Sequence, residues 1–183
     1  MPNRKPMNQP SIPDALSVIH HRKSVRSFTG ESISLGQMDI LMKAAMAAPS
    51  AVNCQPWEFI LVTDRRTLDA LGDVLPYAKM IYKAGAAIVV CGIPLQAHKH
   101  FVEYAVIDAT LASQNILLAA EALGLGAVWT AAYPYPERME SVRSILNIPP
   151  DVIPLNVIPI GHPTGEDQPK EKYKPKKIHR EKW

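Results

Sequence analysis

One stretch of this chain of 183 residues leaves little choice about architecture. From about His100 to Leu123 the residues suit a single long helix that is apolar over most of its circumference, and Gly124 supplies the left-handed residue that commonly ends one. A helix with so little polar surface cannot lie on the outside of a domain; it belongs at the centre or at a boundary between subunits. The length fits one domain with a real core. No internal repeat and no second-domain boundary is visible.

Shorter elements flank the long helix. Ser11-Ile12-Pro13-Asp14 has the pattern of a cap with an acid three residues on, opening a helix to about His21. Ser34-Leu35-Gly36-Gln37 repeats the pattern ahead of a helix carrying Leu35, Met38, Leu41, Met42 and Ala45 at helical spacing, and Ala48-Pro49 stops it. Trp57 to Val62 predicts a strand, Asp64 to Leu75 a helix buried along Leu68, Leu71 and Leu75, and Ala86 to Cys91 a short, wholly apolar strand. Ala127 to Ala131 predicts another strand, and Pro136 to Leu146 a helix with proline in its first turn. Val152 to Ile160 predicts a last strand, which Pro154 and Pro159 should force to an edge or into irregular pairing. Residues 1–16, with four prolines, read as a flexible segment, and 17–183 as a single domain including a C-terminal arm from about 166 to 183. That arm has no periodicity, but Ile178, His179 and Trp183 near its end suit packing on another surface.

Charge is divided unevenly. Residues 1–30 hold five Lys/Arg and one acid, residues 166–183 seven and four, and the stretch between them is net acidic. Two basic ends can converge on one small polyanion, whereas a nucleic-acid binder would carry a basic face throughout, so no nucleic-acid partner is expected. Cys54 and Cys91 lack metal-like spacing, and His98 and His100 have no third ligand in reach of the pattern, so no metal is expected. The apolar run Ala84 to Cys91 is too short for a bilayer and the N-terminus lacks a signal peptide's apolar core; a soluble, cytoplasmic protein with no membrane partner is the expectation.

Two segments carry chemistry. Arg22-Lys23-Ser24-Val25-Arg26 follows directly on the first helix: guanidinium forks, an ammonium and a hydroxyl within five residues suit a phosphate. Ala48-Pro49-Ser50-Ala51-Val52-Asn53-Cys54-Gln55-Pro56-Trp57 is a loop whose prolines fix the backbone, while Ser50, Asn53 and Gln55 offer donors and acceptors of the kind that read a planar heterocycle's edge.

These two segments, with Asp108, Ser113-Gln114-Asn115-Ile116-Leu117-Leu118-Ala119-Ala120, Leu123-Gly124-Leu125-Gly126 and Ile158-Pro159-Ile160-Gly161-His162-Pro163, resemble the nitroreductase family of FMN-dependent oxidoreductases, in the family's order and at the length of its compact members. The resemblance implies an α+β fold with a mixed central sheet surrounded by helices, and a homodimer with FMN at the subunit boundary. It implies that Arg22, Lys23, Ser24 and Arg26 hold the phosphate and ribityl chain, Lys23 standing where the family often has a second arginine. It implies too that Pro49, Ser50, Ala51 and Asn53 lie along the ring, and that Thr130 and Ala131 bring backbone amides to the flavin edge. Either Lys172 or Lys174 would close on the phosphate from the C-terminal arm. The implied reaction is hydride transfer from NADH or NADPH to flavin N5 and onward to a small-molecule acceptor such as a nitroaromatic or quinone, with no side chain required as acid or base. Reduction of an enone or halogenated aromatic, or FMN binding without catalysis, are the alternatives. Asp108 and Gln114, polar residues on the apolar helix, need either an internal hydrogen bond or a role in shaping the pocket.

Overall fold

A computed structural model describes residues 14–183; the expected Ser11 cap and residues 1–13 of the expected flexible segment lie outside the described residues. Asp14 itself is the N-cap of α1 (Ala15–His21), its carboxylate accepting from the Ser17 N–H at 3.0 Å. Residues 15 and 16 therefore lie within α1, and the acid that ends the Ser11–Asp14 pattern does the capping. The helix α2 (Leu35–Met46) starts as expected: the Ser34 hydroxyl accepts from the Gln37 N–H and the Gln37 side chain accepts from the Ser34 N–H. Met38, Leu41 and Ala45 are buried, whereas Leu35, in the first turn, is 87% exposed.

The chain continues through β1 (Trp57–Val62), α3 (Arg65–Val74), β2 (Ala86–Gly92), α4 (Val102–Ala122), β3 (Gly126–Ala127), β4 (Thr130–Ala131), α5 (Pro136–Leu146) and β5 (Ile153–Gly161). The long helix begins at Val102 rather than His100, because Lys99 and His100 adopt left-handed backbone in a separate 3₁₀ turn. The strand expected over Ala127–Ala131 is two short pieces interrupted at Val128 and Trp129.

The sheet order is β1-β2-β5-β3, with β4 also on β5. The α+β class holds, but every pairing among the described residues is antiparallel rather than mixed. The reason is visible between β1 and β2, where α3 and the 3₁₀ turn Lys79–Lys83 form an out-and-back excursion that delivers β2 reversed. The two prolines do not push β5 to an edge. It is central, paired with β2 on one side and with β3 and β4 on the other. Irregularity accommodates them: the register slips at Val90/Cys91 where Pro154 sits, and Pro159 uses its carbonyl to accept from the Val128 N–H.

Helices cover both faces. Ile88 and Val90 of β2 point with Ile158 and Ile160 into a core against α2 and α4, while Ala87 and Val89 point with Val157 toward α3 and α5. A strand buried on both faces has no polar alternation to show, which is why Ala86–Gly92 reads as a continuous apolar run. A small third cluster, Val25, Phe28 and Ala84, pins the segment after α1 to the sheet's end. Val25 donates its N–H to the Ala127 carbonyl at 3.0 Å and lies over Gly126, and Phe28 covers Gly161. No helix of the described residues is long and apolar enough to cross a membrane.

Candidate active site

Val25 is buried while its neighbours Ser24 and Arg26 are not, as alternation along an extended segment gives. Arg22, the C-cap of α1, is half-buried, and among the described residues neither it nor Arg26 has an ion-pair partner. Lys23 is different: its ammonium lies 3.4 Å from the Glu121 carboxylate in the last turn of α4, and both side chains are largely buried. Lys23, Ser24 and Arg26 line a cavity of about 420 Å³ whose opposite wall is the start of the C-terminal arm, including Asp167, Lys170 and Lys172. A second cavity of about 400 Å³, reached past Lys23 and Glu121, shares that wall. The two basic ends of the sequence therefore meet. Lys172 is at the cavity and Lys174 does not line it, opening instead the short turn Pro175–Lys177. The sequence alone does not mark Lys170, Asp167 or Glu121 as site residues. Lys170 belongs to a charged arm without periodicity, and the two acids are recognisable only once the fold sets them beside the basic run.

The loop after α2 forms a compact 3₁₀ turn, Ala51–Asn53, with three non-glycine residues in left-handed backbone: Val52 (φ 45°), Asn53 (φ 60°) and Gln55 (φ 52°). Such conformations cost about 1 kcal/mol or more each and persist where surroundings over-determine them. The surroundings are identifiable. The Ser50 hydroxyl accepts from the Gln55 N–H at 2.9 Å, and both carboxylate oxygens of Asp108 lie 3.2 Å from the Ala51 N–H. Asp108 is only 2% exposed; burial pushes its carboxyl above the usual carboxylate range, and the Ala51 hydrogen bond opposes that rise. Its internal hydrogen bond and its support of the loop are the same contact. Ala51 can offer a ligand only its side chain, whereas Pro49 and Asn53 are exposed.

Gln114 is exposed and needs no internal partner; the buried polar pair behind the sheet is instead Ser113 with Asn156, joined at 2.9 Å. Thr130 is buried and its hydroxyl donates to the Val157 carbonyl, leaving only backbone for any ligand, and the Ala131 carbonyl accepts from Arg138. Cys91 is buried and its thiol is pushed up to about 12, chiefly by burial and then by Glu58, which makes it inert as a nucleophile near neutrality.

Known proteins share this fold. The model of the Nitroreductase family matches residues 19–76 and 73–162. The chain belongs to the nitroreductase family. Among curated relatives, "Putative NADH dehydrogenase/NAD(P)H nitroreductase" from Archaeoglobus fulgidus is 40% identical over 173 residues, covering 93% of this chain and 99% of the relative. A solved structure of the same description from Parabacteroides distasonis is 47% identical with a TM-score of 0.87, covering 92% of this chain and 98% of that one. An FMN-dependent nitroreductase from Clostridium difficile superimposes with a TM-score of 0.83 at 25% identity, covering 92% and 99%. As a nitroreductase-family chain, the protein is an FMN-dependent NAD(P)H oxidoreductase.

Within one chain the basic cavity and the strained loop stay apart. Asp108, under the strained loop, and Glu121, beside Lys23, are thirteen positions apart on α4, roughly 20 Å of helix rise. The basic cavity therefore lies near one end of α4 and the Ala51–Asn53 loop toward the other.

Proposed function

We propose that the cavity between the basic run and the C-terminal arm holds the FMN phosphate, that the protein works as a homodimer in the cytoplasm, and that its acceptor is a nitroaromatic or quinone. The observation that carries the phosphate assignment is Arg26, which has no ion-pair partner among the described residues and lines, with Lys23 and Ser24, a cavity that Lys170 and Lys172 close from the other side; Arg22, likewise without an ion-pair partner there, directly precedes these residues in sequence. Forked guanidinium donors, a serine hydroxyl and two ammonium groups are the donor set a phosphate monoester requires. Arg22, Ser24 and Arg26 hold the phosphate and ribityl chain in this reading, with Lys172 preferred over Lys174 on the arm. Lys23 contributes less, because Glu121 already neutralises it.

Pro49, Ser50 and Asn53 line the ring, with Ala51 held behind them by Asp108, and Thr130 and Ala131 offer backbone groups to its edge. The separation of loop and cavity along α4 supports a dimer in which one chain's loop completes the other's site. Ile107 and Leu111 on the outer face of α4, and Tyr173, Ile178 and Trp183 on the arm, are exposed apolar groups that such a dimer would cover. Two unpaired cysteines suit a reducing compartment.

Bound FMN supplies the hydride-accepting and hydride-donating chemistry that links NADH or NADPH to the acceptor. The chain's own contribution is to bind, orient and surround the group with positive charge. Anaerobic addition of NADH or NADPH to flavin-loaded protein should bleach its visible absorbance, and a nitroaromatic or quinone should restore it. Absorbance unmoved by both nicotinamides would leave a flavin binder without this activity. Arg22→Ala should lower FMN affinity about tenfold or more, the scale of one charge-assisted hydrogen bond; unchanged flavin content in that variant would count against the assignment.

A further inference from the structure

The C-terminal arm is tied to the body of the protein at a few points close together. As the chain leaves β5, the Thr29 N–H donates to the His162 carbonyl at 2.9 Å and the Thr164 N–H donates to the Ser27 carbonyl at 3.0 Å, with Phe28 and Pro163 bridged between them. Three residues further, one carboxylate oxygen of Asp167 accepts from two successive main-chain amides, Arg26 N–H at 2.8 Å and Ser27 N–H at 3.1 Å. Beyond Asp167, every hydrogen bond made by the arm among the described residues stays within the arm: Gln168 to Gly165, Tyr173 to Glu171, Lys177 to Lys174, Ile178 to Pro175 and Lys182 to Arg180. Asp167 is thus the last point at which the arm is held to the basic run.

Two adjacent N–H groups converging on one oxygen form a seat for an anion. Here the seat lies in the wall of the basic cavity and is filled from within the chain. Resting on the FMN reading above, we propose that Asp167 is a positioning residue for the cofactor phosphate. It occupies the Arg26 and Ser27 amides, so these two donors are closed to the phosphate, and it sets Lys170 and Lys172 across the cavity from Ser24 and Arg26.

The sign of one substitution separates this role from simple charge. An aspartate beside a basic cavity repels a phosphate, so if charge alone mattered Asp167→Ala would tighten FMN binding. If Asp167 places the lysines, the same variant weakens it. The measurement is the dissociation constant of flavin-stripped, full-length protein for FMN and for riboflavin, which lacks the phosphate, at several salt concentrations. The expected result for Asp167→Ala is an FMN affinity reduced about tenfold with riboflavin changed less than twofold, and a shallower salt dependence as fewer ammonium groups engage. Asp167→Asn, whose amide oxygen can still accept from both N–H groups, should recover part of the loss; it also serves as the working variant should the alanine form fail to fold. FMN binding that is unchanged or tighter in the folded variants overturns the inference, as does an equal loss for both flavins. Wild-type protein that binds FMN no better than riboflavin also overturns it. Wild-type protein that takes up no FMN at all overturns the functional reading as well, so the two failures are distinguishable.

Discussion

Glu121 sets how much of the basic run is available. Its carboxylate holds the Lys23 ammonium at 3.4 Å, with both side chains mostly out of water, so the lysine is committed before any ligand arrives. Glu121→Gln keeps the size of the side chain and removes its charge. It should raise FMN affinity about three- to tenfold, the range of one modest electrostatic contact; a titration showing weaker binding would mean that the pair holds the cavity's shape instead. Asp108 is governed by burial. Because its folded-state carboxyl titrates above the unfolded value, the folded protein binds that proton more tightly. The stabilisation from this site is therefore complete below the ordinary carboxylate range, about pH 4, and is lost as pH rises through the higher folded value. Asp108→Asn keeps an acceptor for the Ala51 N–H and cannot ionise. Its melting temperature should be less dependent on pH from about 4 upward and at least equal to wild type at neutrality; an unchanged pH profile would exclude Asp108 as the source.

Among the elements, the basic run owes its position to two glycines. A Cβ on Gly126 would fall 2.7 Å from the Val25 Cβ, and one on Gly161 would fall 2.7 Å from the Phe28 ring. Gly126→Ala should cost about 1–3 kcal/mol in urea unfolding, the usual price of overpacking, and should weaken FMN retention by lifting the run off β3. Full stability with normal flavin content would contradict this coupling. Ser34→Ala should cost about 1 kcal/mol by removing one half of a complete capping box, without touching FMN. These local features are the legible ones: the Ser34 cap, the Leu68-Leu71-Leu75 stripe and the helix Pro136–Leu146 follow from nearest-neighbour chemistry. The central place of β5 was not legible, because whether a proline is tolerated depends on which partner carbonyls and bulges the rest of the sheet supplies. The same holds at the site. Arg22 to Arg26 stand out as a run, whereas Glu121 and Asp167 acquire meaning only through contacts spanning 98 and 141 residues.

At the scale of the whole molecule, α4 takes the central place its composition asks for. One face is buried among α2 and the sheet, and the other leaves Ile107 and Leu111 exposed. A chain ending at Pro169 would lose Lys170, Lys172 and the exposed Tyr173, Ile178 and Trp183. It should bind FMN more weakly and sediment with a larger monomer fraction than the full chain; an undiminished dimer would place the association on α4 alone. The account as a whole depends on one phosphate gathered between the two ends of the polypeptide. The most direct test is the visible spectrum of the purified full-length protein, followed by titration with FMN. Flavin absorbance saturating at one FMN per chain is the predicted result, and protein that remains colourless and takes up no added FMN would contradict it.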